Sequence, residues 1–161
     1  LVSRYNTVTG EPIQVRDRIG ILDRKLRIVS ENTQTEEDWL KWAIRAFQST
    51  YGYEYQGDNV LLARENLLFT FEDYMVNKFD KKPTLVQMKK IANIVAWNIW
   101  QMDGITMTTP YSEAAPLHRQ MTIFDYMNDN VEEEKVPMYS LIRDWRAEET
   151  IEFRSLMSEG Y

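Results

Sequence analysis

Cysteine is absent from the 161 residues, and histidine occurs once, as His118. The first absence excludes disulfides, thiolate metal sites and a cysteine nucleophile. The second leaves no set of imidazoles for a metal. A Ser-His-Asp triad would have to rest on a single histidine in a polar segment after Pro116. Long apolar runs are missing too: none approaches the roughly 18 residues a membrane span needs. The opening LVSRYNTVTG has no apolar signal-peptide core. It begins on Leu1 and not on Met, so the first residue is expected to be a boundary and not a translation start. The reading from these absences is a cytoplasmic protein with no membrane partner. Basic charge is also scarce, with a net charge of −6. A compact DNA-binding module carries a basic face. The chain by itself is therefore expected to bind DNA weakly or not at all, unless Lys78, Lys81, Lys82, Lys89 and Lys90 gather into one patch.

An apolar content of 43% and a charged content of 27% fit one soluble globular domain with a sizeable core. Apolar residues at helical spacing, Ile19, Leu22, Leu26 and Val29, predict an amphipathic helix over 15–29. Thr35 is a candidate cap for a second helix, with Glu36, Glu37 and Asp38 at the positive end of its dipole and Trp39, Leu40, Ala43, Ala46 and Phe47 as its buried stripe. Residues 50–55 favour a strand. Gly57-Asp58 is a turn with Asp58 as N-cap, and a long helix follows over 59–79. Its first half, VLLARENLLFTF, is apolar nearly all round and should be buried on more than one side. Thr84-Leu85-Val86-Gln87 has the capping-box pattern, opening a helix with Leu85, Met88, Ile91, Ala92 and Val95 inward. A second strand is predicted over 97–102 and a loop or linker over 106–136. Within that loop lie a docked turn at MTIFDYM and a solvated acidic run, Glu132-Glu133-Glu134. A hairpin over 137–157 closes the chain, with strands at 137–145 and 150–157.

Two acids stand at the ends of the first two strands: Glu54 after TYGY and Asp103 after NIWQM. In a parallel sheet both would open onto the carboxyl edge, where ligands of α/β folds bind. One carboxylate can accept from both hydroxyls of a ribose and another from an adenine amino group. The plain alternative is a pair of surface acids at strand ends. Tyr53 and Tyr55, on either side of Glu54, are the aromatics best placed to touch such a ligand. Trp39, Trp42, Trp97, Trp100 and Trp145 are expected mostly in the core.

The runs DRKLRIVSEN, WLKWAIRAFQSTYGYEYQGDNVLLARENLLFTF, IANIVAWNIWQMDGI and IRDWR resemble, in order and spacing, the interior of bacterial adenine-specific DNA methyltransferases. The similarity is to restriction-modification methylase subunits of the "subunit M" type and covers nearly the whole chain. It implies a partial methyltransferase-type (Rossmann-like) α/β domain, helix-rich, with short strands and a C-terminal β-hairpin. The cofactor would be S-adenosylmethionine, and DNA would be met by the complete protein. Carried over by position, Glu54 becomes the ribose acid and Asp103 the acid near the adenine; an alternative alignment makes Asp103 the ribose acid.

Two family features are absent. The tetrapeptide Asn/Asp-Pro-Pro-Tyr/Phe does not occur, since Pro110-Tyr111 follows Thr108-Thr109. Nor does the glycine-rich motif I that cradles the cofactor. The resemblance therefore implies an incomplete domain, cut at both ends of its chemistry, with no catalytic residue of its own. Its open sheet edge would invite self-association or a partner chain, with Leu67, Leu68 and Phe71 near the contact. The rival reading is a non-enzymatic interaction module, or a decoy, acting on a methylase or restriction partner.

Overall fold

The computed structural model describes residues 1–110, 112 and 137–158. The expectations on His118, the acidic run, the turn at MTIFDYM and most of the 106–136 loop fall outside these residues. Among them the chain is a mixture of five α-helices and two small sheets. Helices α1 (Ile21–Asn32), α2 (Glu36–Gln48), α3 (Gly57–Phe79) and α4 (Leu85–Asn98) carry the core. Strand β1 (Gly52–Glu54) pairs in parallel with β2 (Ile99–Gln101), and β3 (Leu141–Asp144) pairs antiparallel with β4 (Glu149–Glu152), which leads into the short α5 (Ser155–Ser158).

Alternation along the short strands gives the parallel pair two different faces. Ile99 joins the helical core, in which Trp39 stacks on Phe71 at 5.7 Å and meets the edge of Phe79 at 5.8 Å. Burying side chains of this size stabilises the fold by about 1.5–3 kcal/mol each. Trp100, on the other face, packs with Met102 and with Ile142, Ile151 and Phe153 of the hairpin. The pair is thus covered by helices on one side and by β3–β4 on the other.

Helix starts follow their caps. Thr35 accepts from the backbone of Asp38, and Thr84 and Gln87 form a reciprocal capping box. The α2 stripe is buried as its spacing predicts, with Leu40 at its margin. Other boundaries move. The first helix starts at Ile21, not at 15, and Ile19 is exposed. The N-terminal segment causes this: Ser3 Oγ accepts from the backbone of Ile19 and Gly20, and the Leu1 carbonyl accepts from Leu22. A Cβ on Gly20 would lie 2.5 Å from the Leu1 oxygen, so only glycine admits this approach. The carboxylate of Asp23, fully buried, receives Ser3 N–H at 2.8 Å, and the Tyr74 hydroxyl donates to the Asp23 carbonyl at 2.9 Å. Burial and the nearby Asp23 push the Tyr74 phenol up to about 12. Arg4 and Arg18 both reach Asp73, at 3.0 and 2.8 Å, tying the same segment to α3.

Helix α3 begins at Gly57, so Asp58 lies in its first turn and Gln56 is the N-cap. The expectation of burial on several sides is corrected: Val60, Leu67 and Phe71 are buried, while Leu61, Leu62 and Phe69 face outward. Leu67 and Phe71 belong to the chain's own core and Leu68 packs against it, so none of the three is the free contact expected of them. Leu85 is exposed, and α4 runs on through Trp97 and Asn98, which shortens the predicted second strand to 99–101. β1 and β2 pair directly, with no strand between them. The hairpin strands are shorter than 137–145 and 150–157, and residues 155–157 are helical. Of the tryptophans, Trp39 and Trp100 are buried and Trp42 is exposed.

Candidate functional site at the parallel strand ends

Glu54 pairs in register with Gln101, and the Met102 amide donates to the Glu54 carbonyl at 3.0 Å. Asp103 follows two residues beyond Gln101, in the turn after β2, so both acids lie on the carboxyl side of the parallel pair.

Each carboxylate is fixed in the same manner. Glu54 Oε1 accepts from the backbone N–H of Tyr55 at 2.9 Å and of Gln56 at 3.2 Å, in the turn that opens α3. Asp103 Oδ1 accepts from Ile105 at 2.8 Å and Thr106 at 3.3 Å, in the turn after β2. Two N–H donors hold one oxygen of each acid, while Glu54 Oε2 and Asp103 Oδ2 have no hydrogen-bond partner among the described residues. Both side chains are half-buried. The turn after β2 is tight: Asp103 N–H donates to the Thr108 carbonyl, Met107 N–H returns to Asp103, and Met107 takes a positive φ of 59°.

The tyrosines that flank Glu54 in sequence are not brought together with it. Strand alternation turns Tyr53 to the hairpin face, where its ring lies 5.9 Å from both Trp100 and Phe153. A Cβ on Gly104 would lie 3.0 Å from that ring, so the glycine after Asp103 admits the Tyr53 side chain. Tyr55 is exposed, and its carbonyl accepts from Gln101 Nε2 at 2.8 Å. Sequence reading passed over Gln101. Its signal is the even spacing to Asp103 and the register with Glu54, and the second of these exists only once the strands are paired. Chemically, the edge offers two ionisable oxygens able to accept from hydroxyl or amino groups. No group of three or more metal-binding side chains occurs among the described residues. No helix among them is long and apolar enough to cross a membrane.

No family model matches the chain, and no curated protein or solved structure matches it either.

Proposed function

We propose that the chain is a segment of an S-adenosylmethionine-dependent DNA adenine methyltransferase of Rossmann-like type, supplying the nucleoside end of the cofactor site. One observation carries this reading: Glu54 ends β1 and Asp103 follows β2 by two residues, each with one oxygen fixed by backbone N–H groups and the other open. Ligands of open α/β sheets bind at that edge. An acceptor on each strand suits a ribose diol and an exocyclic amine.

The same residues do not fit the methionine half of the cofactor. Close backbone donors from a glycine-rich turn would hold it, and the 161 residues contain no such motif. Methyl transfer to a base amine also needs the base out of the helix and acceptors for its N–H groups. The Asn-Pro-Pro-Tyr element that would supply them is not in the sequence. Bound S-adenosylmethionine supplies an electrophilic methyl group; this chain's part is to orient the nucleoside, and by itself it does not catalyse transfer.

The magnitudes set the test. A charged hydrogen-bond pair at Glu54 contributes about 1.5–3 kcal/mol, whereas micromolar binding needs about 8 kcal/mol. Titration of the full chain with S-adenosylmethionine, followed by NMR, is expected to show binding in the millimolar range only. Amides at 54–57 and 101–106 should shift, and Glu54→Ala with Asp103→Ala should abolish those shifts. No shift at these positions at about 10 mM overturns the reading, and a micromolar isotherm overturns the half-site.

The interaction-module reading is favoured by a separate observation, the outward Leu61, Leu62 and Phe69 of α3. It becomes the better account if the titration fails.

A further inference from the structure

We propose that two adjoining clefts between the hairpin and the start of β1 form a binding site for a nucleoside monophosphate. The base would lie in the apolar cleft, the ribose at the junction and the phosphate in the cationic cleft. The inference does not rest on the transferase reading, since Glu54 and Asp103 line neither cleft.

The apolar cleft has a volume of about 290 Å³. Trp100 and Phe153 pack on each other, with ring centroids 5.4 Å apart and planes inclined at 55°, and form one aromatic wall with Ile142 and Ile151 beside it. A flat heterocycle can lay one face on such a wall without regard to base identity. The second cleft, of about 680 Å³, is lined by Arg45, Arg146, Gln48 and Ser49. Both volumes are on the scale of small-molecule sites.

Tyr51 and Asp144 line both clefts and so mark the junction. The Tyr51 hydroxyl donates to the Arg143 carbonyl at 2.9 Å and keeps its lone pairs for a donor. Asp144 Oδ1 accepts from the backbone of Arg146 at 2.7 Å and of Ala147 at 3.0 Å, while Oδ2 has no partner among the described residues. Those backbone N–H groups hold the Asp144 carboxyl below the usual carboxylate range. An ionised carboxylate with one open oxygen is an acceptor for sugar hydroxyls.

Charge selects the remaining group. In a chain of net charge −6, this surface gathers cations that make no salt bridge among the described residues, although Asp144 attracts Arg146 at longer range. Arg45 lies over the Trp42 ring at 5.2 Å and makes no ion pair, and the Arg146 guanidinium makes none. Lys25 donates to the Ser49 carbonyl, the Ser49 hydroxyl and the Thr50 hydroxyl, at 2.7, 2.9 and 3.1 Å, and to no carboxylate. Asp144 is the one acid among the lining residues. Two forked guanidiniums across an open cleft match the several oxygens of a phosphate.

The full chain is titrated with AMP, adenosine and inorganic phosphate, by calorimetry and by tryptophan fluorescence. AMP is expected to saturate below millimolar, with adenosine and phosphate each at least about tenfold weaker. Arg45→Ala with Arg146→Ala, both exposed positions, should weaken AMP at least about tenfold with an unchanged circular dichroism spectrum. Leu156→Glu, at the apolar mouth, should weaken it too. No saturation by about 5 mM AMP, equal binding of AMP and inorganic phosphate, or full affinity in the double arginine variant would each overturn the proposal.

Discussion

Asn98 is the side chain on which the two halves of the core meet. It is buried at the end of α4, and its Nδ2 donates to the carbonyls of Phe47, Gln48 and Thr50 at 2.9, 3.1 and 3.1 Å. Its Oδ1 accepts from Trp145 Nε1 at 2.6 Å. One amide thus satisfies the open end of α2 and anchors the hairpin turn. Alanine would remove a donor from these carbonyls, of which Phe47 keeps the Thr50 N–H, and would leave the Trp145 indole N–H without its acceptor, an unsatisfied buried group costing about 1–3 kcal/mol. Asn98→Ala is expected to destabilise the fold by about 2–4 kcal/mol, measured by urea unfolding, with a change in the near-ultraviolet circular dichroism of Trp145. A cost below about 1 kcal/mol would show that water replaces the amide. In the sequence, Asn98 reads as an unremarkable polar residue inside a predicted strand. Nothing local says that α4 continues to it, because its partners lie some 50 positions earlier.

The helices divide by whether their boundaries are local. α4 begins where its sequence says: Thr84 Oγ1 accepts from Gln87 N–H at 3.3 Å and Gln87 Oε1 accepts from Thr84 N–H at 2.7 Å. All of these atoms lie within one turn, so the pattern is legible without a fold. Gln87 also donates to Glu36 at 3.1 Å, linking this cap to the first turn of α2. Thr84→Ala is expected to cost about 1 kcal/mol, read as a lower urea midpoint with an unchanged slope. Loss of the α4 packing as a whole, seen as a changed slope, would contradict a purely local role. The start of α1 is the opposite case, because residues 1–3, not residues 15–21, decide it.

Across the whole molecule the acid excess leaves little for a polyanion to grip. Three of the five lysines that could form a patch near 78–90 are engaged: Lys81 with Glu36 at 2.8 Å, Lys82 with Glu72 at 2.9 Å, and Lys78 with the Ser30 carbonyl at 2.7 Å. The cations at the hairpin cleft suit one phosphate and not a duplex, since duplex affinity grows with the number of phosphates neutralised. No retardation of a duplex oligonucleotide is expected at physiological salt. A shift that weakens steeply as salt is added would defeat this and reveal a continuous basic face.

Sequence alone determined what depends on neighbours along the chain. The caps at Thr35 and Thr84, the buried stripe of α2, the four-helix order and the acids at two strand ends rest on spacings of one to four residues, where backbone geometry leaves few choices. Tertiary structure decided what depends on contacts distant in sequence. It set which face of α3 is covered, where α1 starts and α4 stops, and that β1 lies directly against β2. Through strand alternation it sent Tyr53 away from Glu54 and into the aromatic cluster with Trp100 and Phe153. It also assembled the hairpin cleft from residues 45–51, 100 and 142–156. Hydrophobic spacing tells a helix which side is apolar, but burial is settled only by which surfaces are near enough to cover it.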